Sequence, residues 1–257
     1  MNTVIAKLLP YIYNTYHRDI YYDISYYILT HIYDIKNMTV SEFAQNCHTS
    51  LSTVKKFCQG LGYKDFNVFK QYLISTIHVR ENQIAERYQD FSIDDILKRI
   101  DILGETEIDK DKFMVQIRKV VDDIYQSQRT YIIGATFPLA LSLNFIEDMI
   151  IFGKPFLIQN VDNDLDEALK RKDSYSIVVS VTGRYFMLNL VRFQLLQELE
   201  VKTCVISQNN SIQDKLHNIS SFIHLPGNND TENMNSILLE IFQLIKFVYY
   251  QTYVINK

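Results

Sequence analysis

Hydrophobic residues recur every three or four positions through most of the first half of the chain, which is the spacing of amphipathic helices. A first such stretch covers 20–34 and is interrupted at Asn37. The same spacing returns over 66–77, 92–103 and 109–127. The pattern therefore predicts a helical first half.

From residue 130 onward, short apolar runs alternate with helical segments. Two of the runs end in glycine, as buried strands often do where a loop follows. Strands that alternate with helices form βαβ units, so this part is predicted to hold a five-stranded parallel sheet of the doubly wound type. The predicted strands lie within 130–134, 154–160, 174–183, 201–207 and 221–225, and the predicted helices are 139–152, 164–172, 186–200, 211–218 and 231–252.

The composition is that of an ordinary globular protein. The 257 residues are 47% hydrophobic and 22% charged, which excludes a disordered chain. No apolar run reaches the roughly 18 residues of a membrane span, and the N-terminal segment lacks the features of a signal peptide, so no membrane association is expected. Three cysteines without a CxxC pair indicate neither a disulfide framework nor a zinc site, and they fit a reducing, cytoplasmic compartment. The six histidines show no ligand spacing, so we expect neither a metal nor a cofactor.

Charge is distributed unevenly along the chain. The formal net charge is −4 overall. Residues 1–80 contain 8 Lys and Arg against 5 Asp and Glu, whereas residues 81–257 contain 18 against 25. A basic first part followed by an acidic remainder predicts a polyanion-binding domain joined to a domain of a different kind.

Three short helices are predicted in the basic part, with a tight turn between the second and the third. Thr39 followed by Glu42 has the spacing of a capping box, and Ser50 is placed to cap the third helix. This arrangement is typical of a helix-turn-helix, whose third helix enters the major groove of DNA.

The third helix has two different faces. Val54, Phe57 and Leu61 recur on one side and are predicted to be core. Hydroxyl, amide and ammonium groups on the other side can contact bases and phosphates, although a merely solvated helix face is the alternative interpretation. The candidate DNA-binding residues are Thr39, Ser50, Ser52, Thr53, Lys55, Lys56, Gln59, Lys64 and Lys70.

The stretch 38–70, MTVSEFAQNCHTSLSTVKKFCQGLGYKDFNVFK, resembles the N-terminal domain of RpiR-type transcriptional regulators. Two positions depart from the family pattern, with Lys56 in place of an arginine and Asp65 in place of a glycine. Lysine keeps the charge but loses the bidentate geometry of arginine, and Asp65 places a negative charge near the DNA face. The residues that fit the pattern are Ser50, Thr53, Val54, Phe57, Cys58, Leu61, Gly62, Tyr63, Phe66, Phe69 and Lys70.

RpiR-type regulators carry a C-terminal SIS (sugar-isomerase-like) domain, a parallel-sheet fold that binds phosphosugars, and the resemblance implies such a domain here. IIGATFPLALSLNFIEDMIIFGK is similar to its first strand, loop and helix, IVVSVTGRYF to its S-x-S-G motif, and VKTCVISQNNSIQDKL to the next strand and loop. In such a fold, loop amides and helix N-termini at the carboxyl ends of the strands bind the phosphate. The ligand-binding residues implied are Gly134, Thr136, Ser180, Thr182, Gly183 and Arg184.

The first of these loops departs from the family pattern G-x-G-x-S. Thr136 and Pro138 occupy the positions of the second glycine and the serine, and Tyr185 stands where Ser or Thr is common. A β-branched side chain hinders close approach of the backbone to a phosphate, and proline offers neither an N–H nor a hydroxyl. The site is therefore open to three interpretations: a phosphosugar site, a site that has lost its sugar phosphate or holds a larger or less charged ligand, or loop residues that only turn the chain.

These observations predict a fold of class α + α/β, with an all-α helix-turn-helix domain (1–78), a helical linker (79–108) and a doubly wound five-stranded SIS-like domain (109–257). The predicted function is that of a DNA-binding transcriptional regulator, not an enzyme. Its expected partners are double-stranded operator DNA, a sugar phosphate or related effector, and further copies of the chain in a homodimer or higher homo-oligomer. The alternatives are a sugar-phosphate isomerase, although neither loop region shows a positioned acid–base pair, and a regulator whose ligand site is degenerate.

Overall fold

The computed structural model describes residues 3–15, 18–160, 170–188, 190–216, 219–227 and 232–255. The chain divides into two compact units. Unit 1 comprises Met1–Asp90 and Glu147–Pro155, and unit 2 comprises Phe91–Ile146 and Phe156–Lys257.

The described residues of unit 1 up to Asp90 form helices and their connections. The periodicity did not predict α1, and the helix predicted over 20–34 ends at Thr30, whose hydroxyl donates to the carbonyl oxygen of Tyr26 (2.9 Å). A 3₁₀ turn at Ile35–Asn37 precedes α3. The helices are α1 (Val4–Asn14), α2 (Ile20–Thr30), α3 (Val40–Asn46), α4 (Leu51–Gly60) and α5 (Phe66–Gln89).

Aromatic rings form the centre of the core of unit 1. The ring of Phe66 lies 4.7 Å from that of Phe43 and 6.1 Å from that of Phe69. Leu61, which was expected in the core, is only half-buried. Tyr63 is buried instead, with its ring 5.5 Å from that of Phe69.

A five-stranded sheet forms the centre of unit 2. Its strands are β1 (Arg129–Gly134), β2 (Phe156–Asn160), β3 (Ser174–Val179), β4 (Lys202–Ser207) and β5 (Ser221–His224). All neighbouring strands are parallel, and their order is β2-β1-β3-β4-β5. From β1 the chain adds β2 on one side of the sheet and then β3, β4 and β5 on the other side. The change of side falls between β1 and β3, as in doubly wound folds. The predicted fold class is confirmed.

The helices of unit 2 follow the predicted alternation, with local differences. The helix predicted over 139–152 is broken at Ser142, whose hydroxyl donates to the carbonyl oxygen of Leu139 (2.6 Å). The helix predicted over 211–218 is a 3₁₀ segment, Asn210–Lys215, and the one predicted over 164–172 falls largely outside the described residues. A π-helical turn, Tyr250–Val254, follows the last helix. The helices are α6 (Ile93–Gly104), α7 (Lys110–Gln126), α8 (Thr136–Leu141), α9 (Leu143–Ile151), α10 (Arg184–Leu188), α11 (Leu190–Glu198) and α12 (Glu232–Tyr249), and the end of α9 belongs to unit 1.

The domain boundaries proposed from the sequence stay a prediction. Helix α5 continues without a break through residue 78 as far as Gln89. Across the described ranges, no helix is both long enough and apolar enough to cross a membrane.

Candidate functional sites

The turn between α3 and α4 is fixed by local hydrogen bonds. The backbone N–H of Thr39 donates to Glu42 Oε2 (2.7 Å), and the N–H of Glu42 donates to Thr39 Oγ1 (3.2 Å), so the predicted capping box is present. The first of these bonds lowers the pKa of the Glu42 carboxyl below its usual range. His48 adopts a left-handed conformation (φ 50°) at the turn, and Thr49 N donates to the carbonyl oxygen of Ala44 (2.9 Å). The entry of α4 is therefore held in one orientation.

Helix α4 begins with a cluster of three hydroxyl groups. Ser50 caps the helix by accepting from Thr53 N (3.1 Å), as its position in the sequence predicted. Its Oγ also lies 2.8 Å from Ser52 Oγ and 2.9 Å from Thr53 Oγ1. The cluster places short polar groups at the N-terminal end of the helix, the end that approaches base edges in helix-turn-helix proteins.

The two faces of α4 differ as predicted. Val54, Phe57 and Cys58 are buried, and burial raises the pKa of the Cys58 thiol to about 12. Gly62 then takes a left-handed conformation (φ 90°) just beyond the helix, as C-terminal glycines do. The exposed residues of the helix from the predicted DNA-binding set are Ser52, Lys55, Lys56 and Gln59.

Two predicted DNA contacts are engaged within the fold. Lys70 Nζ donates to the carbonyl oxygen of Met38 (2.8 Å). The Thr39 hydroxyl donates to Glu42 Oε2 (2.8 Å) as part of the capping box. Lys64 is exposed, like the lysines of α4. The DNA contacts of Thr39, Lys64 and Lys70 stay a prediction. Lys70 and Thr39 also stabilise the fold through the hydrogen bonds just described.

Asp65, the residue that departs from the family pattern, caps helix α5. Its carboxylate accepts from Val68 N (3.0 Å). Asp is among the preferred N-cap residues, whereas Gly satisfies no amide at this position. The substitution thus provides a cap for a helix of 24 residues.

The predicted ligand residues of unit 2 meet at the carboxyl edge of the sheet. Gly134 ends β1 and pairs with Val179, the last residue of β3, which places Ser180 next to it. A Cβ atom at Gly134 would lie 2.8 Å from the carbonyl oxygen of Val179. The strand order reverses between these two strands, and ligands of open α/β sheets bind at such a switch point.

The loop after β3 is built around Ser180 and Gly183. Ser180 is buried, and its Oγ accepts from Tyr185 N (3.1 Å), so the side chain orders the turn into α10. Gly183 has φ 80°, and a Cβ there would lie 2.5 Å from Ile212 Cδ1. The exposed Arg184 donates from Nε to Thr182 Oγ1 (3.1 Å). The loop therefore presents Thr182 and Arg184, while Ser180 and Gly183 shape it.

The loop after β1 presents fewer polar groups. Ala135 precedes α8 without a side-chain cap. Thr136 and Phe137 are exposed, with Phe137 at 59% of its full accessibility. Pro138 follows in the first turn and lacks an N–H. A ligand at this edge would meet an apolar ring and one hydroxyl from this loop.

Asn209 is a further polar residue at this edge that the sequence reasoning did not select. It follows β4, and its Nδ2 would lie 3.0 Å from a Cβ at Gly183. Its Oδ1 accepts from Ser211 N (3.0 Å), which fixes the side chain. The polar run Gln208–Ser211 directly after a predicted strand is the signal that could have indicated it.

A cavity of about 660 Å³ lies elsewhere in unit 2. It is lined by the segment between α6 and α7, by β5 and by the start of α12, and it includes none of the predicted ligand residues. In the part of the chain that the structure describes, no group of three His, Cys, Asp or Glu side chains could hold a metal ion.

These features define a chain made of a helix-turn-helix unit and a doubly wound α/β unit. Residues 22–79 match the family described as "Helix-turn-helix domain, rpiR family". This part of the chain is therefore an rpiR-family helix-turn-helix domain, and the resemblance carried by 38–70 is confirmed. No curated protein matches the chain significantly.

Several solved structures are similar to this chain at low identity. The NanR protein of Vibrio vulnificus complexed with ManNAc-6P is 15% identical over 97% of this chain and 92% of its own, with a TM-score of 0.45. The sugar isomerase domain of an RpiR transcription factor from Sphaerobacter thermophilus is 14% identical over 55% of this chain and 83% of its own (TM-score 0.42). A protein from Bacteroides fragilis, described as a phosphosugar isomerase involved in capsule formation, is 12% identical over 62% and 88% (TM-score 0.46).

Proposed function

We propose that this protein is a DNA-binding transcriptional regulator of the RpiR type, whose α/β unit senses a phosphorylated sugar or a related metabolite. The observation that carries the proposal is the exposed face of α4. Within a matched rpiR-family helix-turn-helix domain, this face presents Ser52, Lys55, Lys56 and Gln59, while the opposite face is buried. Because a regulator of this kind acts on DNA, we assign the protein to the cytoplasm.

Operator DNA is recognised by two kinds of contact. The ammonium groups of Lys55, Lys56 and Lys64 bind phosphates, which supplies affinity and salt dependence. The hydroxyls of Ser52 and Thr53 and the amide of Gln59 reach base edges in the major groove. One helix-turn-helix reads a short half-site, so we propose a homodimer or higher homo-oligomer that binds two half-sites at once.

The effector is proposed to bind at the carboxyl ends of β1 and β3. Arg184 and Thr182 supply a cation and a hydroxyl for a phosphate, and Gly134 ends β1 at the same edge of the sheet. Thr136 adds a second hydroxyl. We propose binding without catalysis, because the described loop segments 134–138 and 180–184 contain no Asp, Glu or His that could act as a general acid or base.

The DNA-binding proposal is tested with the double variant Lys55→Ala/Lys56→Ala. A duplex is first selected from a random library with the full-length chain, and its affinity is then measured by fluorescence anisotropy over a series of salt concentrations. Removing two phosphate contacts should weaken binding and make the slope of log K against log salt shallower by about 2. The matched control is Lys110→Ala/Lys112→Ala, which removes two lysines from unit 2. An unchanged slope for the α4 variant would contradict the placement of the recognition helix.

The effector proposal is tested by thermal shift with glucose 6-phosphate, fructose 6-phosphate, ManNAc-6P and inorganic phosphate. A bound ligand at a hundred times its Kd should raise Tm by about 5 °C. Arg184→Gln should reduce the shift, whereas Arg171→Gln, next to the amino end of β3, should not. If none of the sugar phosphates shifts Tm at millimolar concentration, the α/β unit does not sense this class of ligand.

A further inference from the structure

Asp148, near the end of α9, is completely buried and paired with two arginines. Its Oδ1 accepts from Arg80 Nε (3.0 Å) and Nη2 (2.7 Å), and its Oδ2 accepts from Arg87 Nη1 (3.3 Å). Arg80 and Arg87 are seven residues apart on α5, which places them on one face of the helix two turns from each other. The Asp148 carboxylate therefore binds α5 at two points that lie two helical turns apart.

Other residues at the end of α9 also contact the rest of unit 1, to which this end belongs. Glu147 accepts a hydrogen bond from the hydroxyl of Thr3, the N-cap of α1, and lies 3.7 Å from Arg80 Nη2. The hydroxyl of Tyr33 donates to the carbonyl oxygen of Ile151. The end of α9 is thus tied to α1, to the segment after α2 and to α5.

The first half of α9 belongs to unit 2 and is packed there by Phe145. Its ring lies 5.0 Å from the ring of Phe156 on β2 and 5.0 Å from the ring of Phe242 on α12. The preceding helix, α8, starts directly in the loop after β1 that carries Thr136. Thr136 and Asp148 are only twelve positions apart in the chain, and of the residues between them only Ser142 is not helical.

We propose that Asp148 is the positioning residue that couples the effector site to the helix-turn-helix domain, through its ion pairs with Arg80 and Arg87. The proposal rests on the proposed function. A ligand that changes the position of the loop after β1 displaces α8 and α9, because a short helical path transmits a displacement better than a flexible one. The displacement of α9 moves the Asp148 carboxylate, and α5 moves with it because Arg80 and Arg87 are paired with that carboxylate.

The physical basis is the cost of separating these charges. A completely buried carboxylate loses its stabilisation when its partners move away, so α5 follows Asp148 rather than leaving it unpaired. Coupling of this kind also requires that the ligand favours one arrangement of the pairs over the other.

The test compares Asp148→Asn with Glu240→Gln in the full-length chain. Glu240 accepts from Arg99 Nε (2.7 Å) and Nη2 (2.9 Å), so the control removes a carboxylate from an arginine pair within unit 2. For each protein, Kd for the selected duplex is measured with and without the sugar phosphate that gives the largest thermal shift. Thermal shift with the same compound checks ligand binding in each variant.

In Asp148→Asn we expect the ratio of the duplex Kd with the sugar phosphate to the Kd without it to lie within about twofold of 1. The variant should still bind both the duplex and the sugar phosphate. The ratio should stay at the wild-type value in Glu240→Gln. A purely structural role would lower Tm without moving the ratio, so a wild-type ratio in Asp148→Asn overturns the coupling proposal alone. A wild-type chain that binds no DNA, or whose DNA affinity ignores every sugar phosphate, overturns the proposed function, and the coupling falls with it.

A measurement on the wild-type chain keeps the proposal testable if Asp148→Asn does not fold. Hydrogen–deuterium exchange is followed with and without a saturating concentration of the same sugar phosphate. We expect changed exchange rates in peptides covering 80–87 and 143–152. Unchanged exchange over 80–87, although the thermal shift shows that the ligand is bound, would overturn the coupling.

Discussion

Gly134 and Val179 pack backbone against backbone at the carboxyl edge of the sheet. A Cβ atom at residue 134 would lie 2.8 Å from the carbonyl oxygen of Val179, a distance that requires the strands to move. A side chain at residue 134 is excluded by the neighbouring strand and not by the backbone conformation. At Gly183, by contrast, the positive φ itself disfavours any other residue.

Gly134→Ala should lower the free energy of unfolding by about 1–3 kcal/mol, because overpacking in a closely packed region forces backbone shifts. Urea denaturation followed by circular dichroism measures the change. Gly60→Ala is the matched control, since nothing lies within 4 Å of a Cβ there and its φ is negative. That variant should be as stable as the wild type or more stable by up to about 1 kcal/mol. Equal effects of the two substitutions would show that the Gly134–Val179 contact is not tight.

Asp65 should contribute to stability as a helix cap. Asp65→Ala removes the acceptor for Val68 N and should lower the free energy of unfolding by about 1 kcal/mol, whereas Asp65→Gly, the residue typical of the family, should cost only a few tenths. Urea denaturation of both variants tests this difference. A loss of the same size for Ala and Gly would argue against the capping role.

The three cysteines should react slowly in the folded protein. Burial raises the pKa of the thiols of Cys47, Cys58 and Cys204 to about 12 in each case, and the thiolate is the reactive form. At pH 8, labelling with a thiol reagent such as DTNB should therefore be slow until urea unfolds the chain. Rapid labelling of all three thiols under native conditions would contradict the burial.

The same shifts give stability a defined dependence on pH. The folded state holds these thiols protonated above the pKa of about 8.5 that they have in an unfolded chain. Their contribution is therefore fully present below that pH and is lost as pH rises from there through about 12. Urea midpoints measured between pH 8 and pH 11 should decrease steadily. A midpoint that stays constant over this range would contradict the prediction.

Much of the helix-turn-helix could be predicted from the sequence because its signals are local. The capping box of Thr39 and Glu42 and the cap at Ser50 each depend on residues three positions apart, so spacing alone indicates them. The strands were found in the same way, from short apolar runs between helical segments. The break at Ser142 was missed because the apolar periodicity continues through it, while a hydroxyl-to-carbonyl bond interrupts the helix.

The candidate ligand edge was predicted in its residues but not in their roles. The sequence placed Ser180 and Arg184 near one another, since both follow a single strand. It could not show that the Ser180 hydroxyl is used to order the turn at Tyr185, or that Asn209 joins the same edge from the loop after β4. Both depend on which strands are neighbours.

The sequence by itself determined the class of each part of the chain, helices α3 and α4 of the helix-turn-helix and the polar face of α4, because periodicity, caps and charge act over a few residues. The tertiary structure alone decided the strand order that brings Gly134 beside Val179, and the pairing of Asp148 with Arg80 and Arg87. The physical reason is that strand pairing and buried ion pairs join residues distant in the chain. Their partners are selected by packing and by the cost of leaving a buried charge unpaired, and neither is visible in local spacing.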